Sequence, residues 1–87
     1  MKTQTITPSS NHPAVQRCYG YSIQEDSAGT AAIELRALSA TGQVVVYINL
    51  AASTTQTVIL PKGTFLEFPG GCYIKEASGS VTGVLYY

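Results

Sequence analysis

Apolar and polar residues alternate with a period of two along most of this chain, most clearly between residues 31 and 60. In residues 31–37, Ile33 and Leu35 alternate with Glu34 and Arg36, the pattern of a strand with one wet face. In residues 43–50, Val44, Val46, Ile48 and Leu50 point one way, and Val45, Tyr47 and Asn49 the other. In residues 54–60, Val58 and Leu60 share a face with Gln56. β-Branched and aromatic residues fill these runs, while Ser-Ala-Thr-Gly and Ala-Ala-Ser break them, which predicts a three-strand meander.

The same rhythm extends outward in both directions. Residues 17–24 place Tyr19, Tyr21 and Ile23 on one face and Cys18, Gly20 and Ser22 on the other, and so small a face invites close approach by something bulky. Short strands follow at residues 64–68 and 72–76, with Pro61-Lys62-Gly63 and Pro69-Gly70-Gly71 as turns, the latter offering two positions that tolerate positive φ. A last strand spans residues 81–87, where Gly83 suggests a bulge or close packing. Residues 1–16 are read as an N-terminal arm or edge strand, because residues 2–7 alternate before Pro8 to Pro13 interrupts them; residues 17–87 form the sandwich. The arm is expected either to fray or to add a strand to a neighbouring subunit. No stretch keeps a helical stripe, so the chain is predicted to be an all-β, small antiparallel β-sandwich, jelly-roll-like, of about seven to eight short strands. Its expected core comprises Ile33, Leu35, Val44, Val46, Ile48, Val58, Leu60 and Ile74.

Composition changes this picture in one respect. At 87 residues the chain is a single small domain, and its 45% apolar content is ordinary. Only 11% of its residues are charged, whereas soluble domains carry about 25%. Thr and Ser stand in for the missing Lys and Glu, making a neutral surface that repels its neighbours little. Such a surface suits a subunit covered in an assembly better than a free monomer, so a homo-oligomer, dimer or trimer, is expected. Five basic residues balance five acidic ones, which gives no electrostatic case for nucleic acid, and no basic amphipathic segment suits a membrane surface. The first sixteen residues lack the apolar core of a secretory signal, so synthesis in the cytoplasm is expected, followed by retention there or release by lysis rather than by secretion.

Candidate chemistry is sparse. His12 is the only histidine, set in a Pro-flanked polar segment, and nothing in its spacing joins it to Cys18 or Cys72 as a nucleophile. Those two cysteines read as buried thiols, with a disulfide across the sandwich as the alternative. Glu34, Glu67 and Glu76 fall among alternating strand residues, and Glu25-Asp26 sits in a loop, so no carboxylate pair marks a cleft. No metal-ligand spacing or phosphate loop occurs. The expectation is therefore no enzyme, no catalytic or metal residues and no cofactor. Six Tyr and no Trp form the one pattern pointing to recognition. Carbohydrate-binding sandwiches also present aromatic platforms, and Tyr19, Tyr21, Tyr47 and Tyr73 suit half-buried sheet positions as well.

A resemblance adds a direction. Ala31-Ala32-Ile33-Glu34-Leu35-Arg36, Gly42 before residues 44–50, Thr55-Gln56-Thr57-Val58, Gly70-Gly71-Cys72-Tyr73-Ile74 and residues 78–87 together resemble small virion proteins of tailed bacteriophages. That likeness implies a β-sandwich capsid cement or decoration subunit, made in the host cytoplasm and located in the virion. Its implied partners are copies of itself and the major capsid protein, with no nucleic acid and no membrane. A tail or baseplate component, or a carbohydrate-binding β-sandwich module, is the alternative.

Overall fold

A computed structural model describes residues 2–26 and 29–87. It contains ten strands: β1 (Thr3–Thr5), β2 (Ser10–His12), β3 (Arg17–Cys18), β4 (Gly20–Glu25), β5 (Ala31–Ala37), β6 (Val44–Leu50), β7 (Thr55–Ile59), β8 (Leu66–Glu67), β9 (Cys72–Ser78) and β10 (Val81–Tyr86). Among the described residues there is no helix. The strands pair as nested antiparallel couples: β5 with β6, β4 with β7, β3 with β8, β2 with β9 and β1 with β10. The chain is thus one long hairpin, bent at residues 38–43, whose ribbon is wrapped into two facing layers. Contacts between β10 and β4 and between β5 and β9 then close a sheet of order β1-β10-β4-β7 and a second of order β2-β9-β5-β6. This is the jelly-roll arrangement of a small β-sandwich, with β3 and β8 forming a separate two-stranded ladder.

Alternation explains which residues meet between the layers. The first sheet sends Tyr21, Ile23, Val81 and Leu85 inward, and the second sends Ile33, Leu35, Ile48, Leu50 and Ile74, all buried. Phe68 and Val15 are fully buried from the connecting segments. Of the expected core, Ile33, Leu35, Ile48 and Ile74 are buried, while Val46, Val58 and Leu60 are partly buried. Val44 is a correction: it is 38% exposed. Leu35 pairs with Val46 and Arg36 with Val44, so Val45 is the extra residue of a β-bulge. The bulge turns Val45 and Val46 together toward the core and rotates Val44 out.

The first sixteen residues contribute to both layers. β1 lies at the edge of the first sheet and β2 at the edge of the second, joined through Ser9 at φ 59. Lys2 N–H donates to Tyr87 O at 2.6 Å, and Tyr87 N–H returns a bond to Lys2 O at 2.8 Å. β2 falls where the two prolines of the sequence indicate a break. It has no apolar alternation, and side chains hold it instead. Asn11 Nδ2 donates to Gly70 O at 3.0 Å. His12 is buried, its Nε2 accepts the Thr7 N–H at 2.9 Å, and its Nδ1 lies 3.0 Å from Cys72 O. The first of these bonds needs a lone pair on Nε2, so the proton sits on Nδ1 and is donated to Cys72 O. Gly71, at φ 117 in the turn before β9, has no room for a side chain: a Cβ there would stand 2.7 Å from both Asn11 Oδ1 and His12 O.

Candidate functional site

The two sheets present unlike outer faces. On the first, cross-strand register builds one row from Thr3, Tyr86, Gly20 and Ile59 and a second from Thr5, Val84, Ser22 and Thr57. A third row holds Thr82, Gln24 and Thr55. None of the chain's five basic and five acidic residues lies in these rows. Ser22 Oγ and Thr57 Oγ1 are 3.0 Å apart and share a hydrogen bond. Gly20 leaves a notch into which Ile59 leans, since a Cβ at Gly20 would lie 3.1 Å from Ile59 Cδ1. The bulky neighbour that the small face invites is therefore the adjacent strand, while Ile59 itself remains 57% exposed.

The edges of the sandwich are equally unlike. On one side β1 and β2 are three residues each, with Pro8 and Pro13 beside them. Short strands and prolines are devices that discourage edge-to-edge pairing. On the other side the edges are β6 and β7. β6 is bulged, which also blunts an edge. β7, Thr-Gln-Thr-Val-Ile, has no charge, proline or bulge, and it borders the uncharged face. Among the described residues it is the unguarded edge.

The outer face of the second sheet carries the charge. Glu34 lies opposite Lys75 on β9 and Tyr47 on β6, and Arg36 lies opposite Tyr73. Arg36 Nη2 reaches Glu34 Oε1 at 2.7 Å, and Nη1 donates to Gly42 O at 2.9 Å, which ties the β5–β6 turn to the sheet. One row further on, Ser78, Ala32 and Asn49 stand side by side. The small Ala32 between two polar residues leaves an open depression of about 370 Å³, rimmed also by Thr30 and Ala51.

The residues weighed for chemistry are placed as follows. His12 and Cys72 are register partners on β2 and β9, yet both imidazole nitrogens are engaged by backbone groups. Both cysteines are free and fully buried. Burial, with a smaller contribution from the charge of a nearby Cys18 thiolate, pushes the Cys72 thiol up to about 12. Burial raises Cys18 as well, against the opposing pull of backbone bonds at Gly20 and Tyr86, and its Sγ donates to Gly20 O at 3.0 Å. Thiols held protonated in this way pack as small apolar groups. Glu25 is buried and accepts the Ser53 N–H at 2.9 Å, and Glu76 accepts the Val81 N–H at 3.0 Å, so these carboxylates hold turns. Among the described residues no three His, Cys, Asp or Glu side chains cluster as metal ligands would.

The tyrosines divide. Tyr21 is core, Tyr19 meets Phe65 edge-on with centroids 6.1 Å apart, Tyr73 is half-buried, and Tyr47 is 53% exposed. Fold and surfaces together define a small jelly-roll sandwich with one neutral face, one charged face and one unguarded edge. Comparison with protein families, curated proteins and solved structures finds no match, so the functional reading rests on these surfaces.

Proposed function

We propose that this chain is a structural subunit of a virion, a cement or decoration protein that acts by pairing with copies of itself and with the shell. The carrying observation is β7, an uncharged and unguarded edge strand bordering an uncharged sheet face. A free edge presents unpaired N–H and C=O groups, and another strand satisfies them. Another copy of β7 is the occupant. Laid antiparallel across a twofold axis with Thr57 at the centre, the two edges join the first sheets of two molecules into one continuous sheet. No charge is desolvated and no like charges meet in that arrangement, because the rows nearest the edge contain none. Twofold, self-complementary contacts are the commonest in soluble oligomers. Jelly rolls recur in viral capsid proteins, and the resemblance to phage virion proteins points the same way, though a fold alone does not determine function.

Mass spectrometry of purified particles from the genome that encodes this chain tests the reading. The chain is expected in a fixed ratio to the major capsid protein. Its absence from washed particles, with the chain abundant in the lysate, would overturn the proposal. A location in the tail would show as co-purification with tails rather than with emptied heads.

A further inference from the structure

We propose that the depression at the end of the second sheet is a binding site for a neutral saccharide. Its lining has no charged side chain, so an anionic ligand such as a phosphate would find no counter-ion there. What it offers is Asn49, Ser78 and Thr30 beside three alanines and Leu50. An amide donates and accepts at once, and a hydroxyl does either, which matches the mixed donor and acceptor hydroxyls of a sugar. The volume of about 370 Å³ falls within the range of small-ligand sites and leaves room for a mono- or disaccharide. Two positions before Asn49 on the same face of β6, about 7 Å away along the strand, Tyr47 is 53% exposed. A tyrosine there offers its ring to the C–H face of a pyranose lying across the row. β9 is bulged at this point, since Ala32 pairs with Ser78 and Ile33 with Glu76, leaving Ala77 as the extra residue. A bulge re-aims the side chains beside it and is common next to binding sites; here it lies next to Ser78.

The site lies on the sheet opposite the uncharged face, so it does not rest on the assembly reading, and either can fail alone. Glucose, galactose, N-acetylglucosamine, maltose, lactose and chitobiose are titrated into the full chain while its backbone amides are followed by NMR. At least one sugar is expected to give saturable shifts confined to Thr30–Ala32, Tyr47, Asn49–Ala51 and Ser78, with Kd on the order of 1 mM, as for a small, shallow site. Asn49→Ala and Tyr47→Ala, both at exposed positions, are expected to weaken that binding at least fivefold with an otherwise unchanged spectrum. Thr57→Ala on the other sheet is expected to leave it unaltered. No saturable shift for any of the six sugars at ten times that concentration would overturn the proposal. So would shifts that persist in both variants, or tighter binding of glucose 6-phosphate than of glucose.

Discussion

Truncating Ile48 to Ala, beside the same test at Val44, examines the packing of β6 directly. The two residues lie on one strand in apparently equivalent alternating positions, yet Ile48 is 2% exposed and Val44 38% exposed, because the bulge at Val45 lies between them. Ile48 packs in the core with Ile33 opposite it. Removing three carbons forfeits about 2.4 kcal/mol at about 0.8 kcal/mol per methylene. An added cavity term gives about 3–4 kcal/mol, inside the usual range for such truncations. A domain of this size has roughly 5–10 kcal/mol in total, so the variant should fold while losing roughly 12–30 °C in Tm, at about 4–8 °C per kcal/mol. Val44→Ala trims a side chain on the wet face, 38% exposed and outside the core, and is expected to cost under about 0.5 kcal/mol. Urea titration followed by circular dichroism, at one low protein concentration, measures both. Equal losses at the two positions, or an Ile48→Ala loss under about 0.5 kcal/mol, would refute the bulge and the face assigned to Ile48.

Three further outcomes are expected. Both raised thiols favour the folded state while protonated, so that stabilisation is complete below the ordinary thiol value of 9.0, and the share from Cys72 is lost as pH rises through about 12. Denaturation midpoints should therefore fall above pH 9, less so in Cys72→Ala, and neither thiol should react with a disulfide reagent at pH 8 until urea is added. His12→Ala leaves the Thr7 N–H and Cys72 O without their ring partner and should cost about 2–4 kcal/mol, with faster hydrogen exchange at the Thr7 amide; unchanged exchange there would show that the ring does not anchor this segment. Gly71→Ala demands positive φ and contact with Asn11 and His12, so a loss of about 2 kcal/mol or more is expected, and a neutral result would contradict the turn geometry.

What could be read from the sequence followed from clean alternation. The residue range 31–37 matches β5 because Ile33 and Leu35 alternate with the charged Glu34 and Arg36, a pattern with one solution. β6 begins Val-Val-Val, and three like residues in a row carry no period, so the bulge that exposes Val44 leaves no mark in the residue pattern. β2 was illegible for another reason. Ser10, Asn11 and His12 bury one side chain between them, and the groups that hold the strand, Gly70 O and Cys72 O, lie far along the chain. The exposure of Tyr47 and Asn49 is visible in the strand pattern. The depression beside them is not, since it requires Ser78, Ala32 and Asn49 to fall in one row across three strands. The unguarded edge likewise appears only once the nested pairing places β7 outermost.

Self-association through that edge is tested most directly by light scattering during size exclusion, on the wild-type chain and on Thr57→Lys. The lysine sits at the centre of the edge, where a twofold axis would place it against its own copy, and like charges directly opposite are destabilising. Self-association through β7 predicts a wild-type mass near twice 9.2 kDa at tens of micromolar and a Thr57→Lys mass of 9.2 kDa with unchanged circular dichroism. A wild-type chain that elutes as a 9.2 kDa monomer, or a Thr57→Lys variant that keeps the wild-type mass, would contradict it.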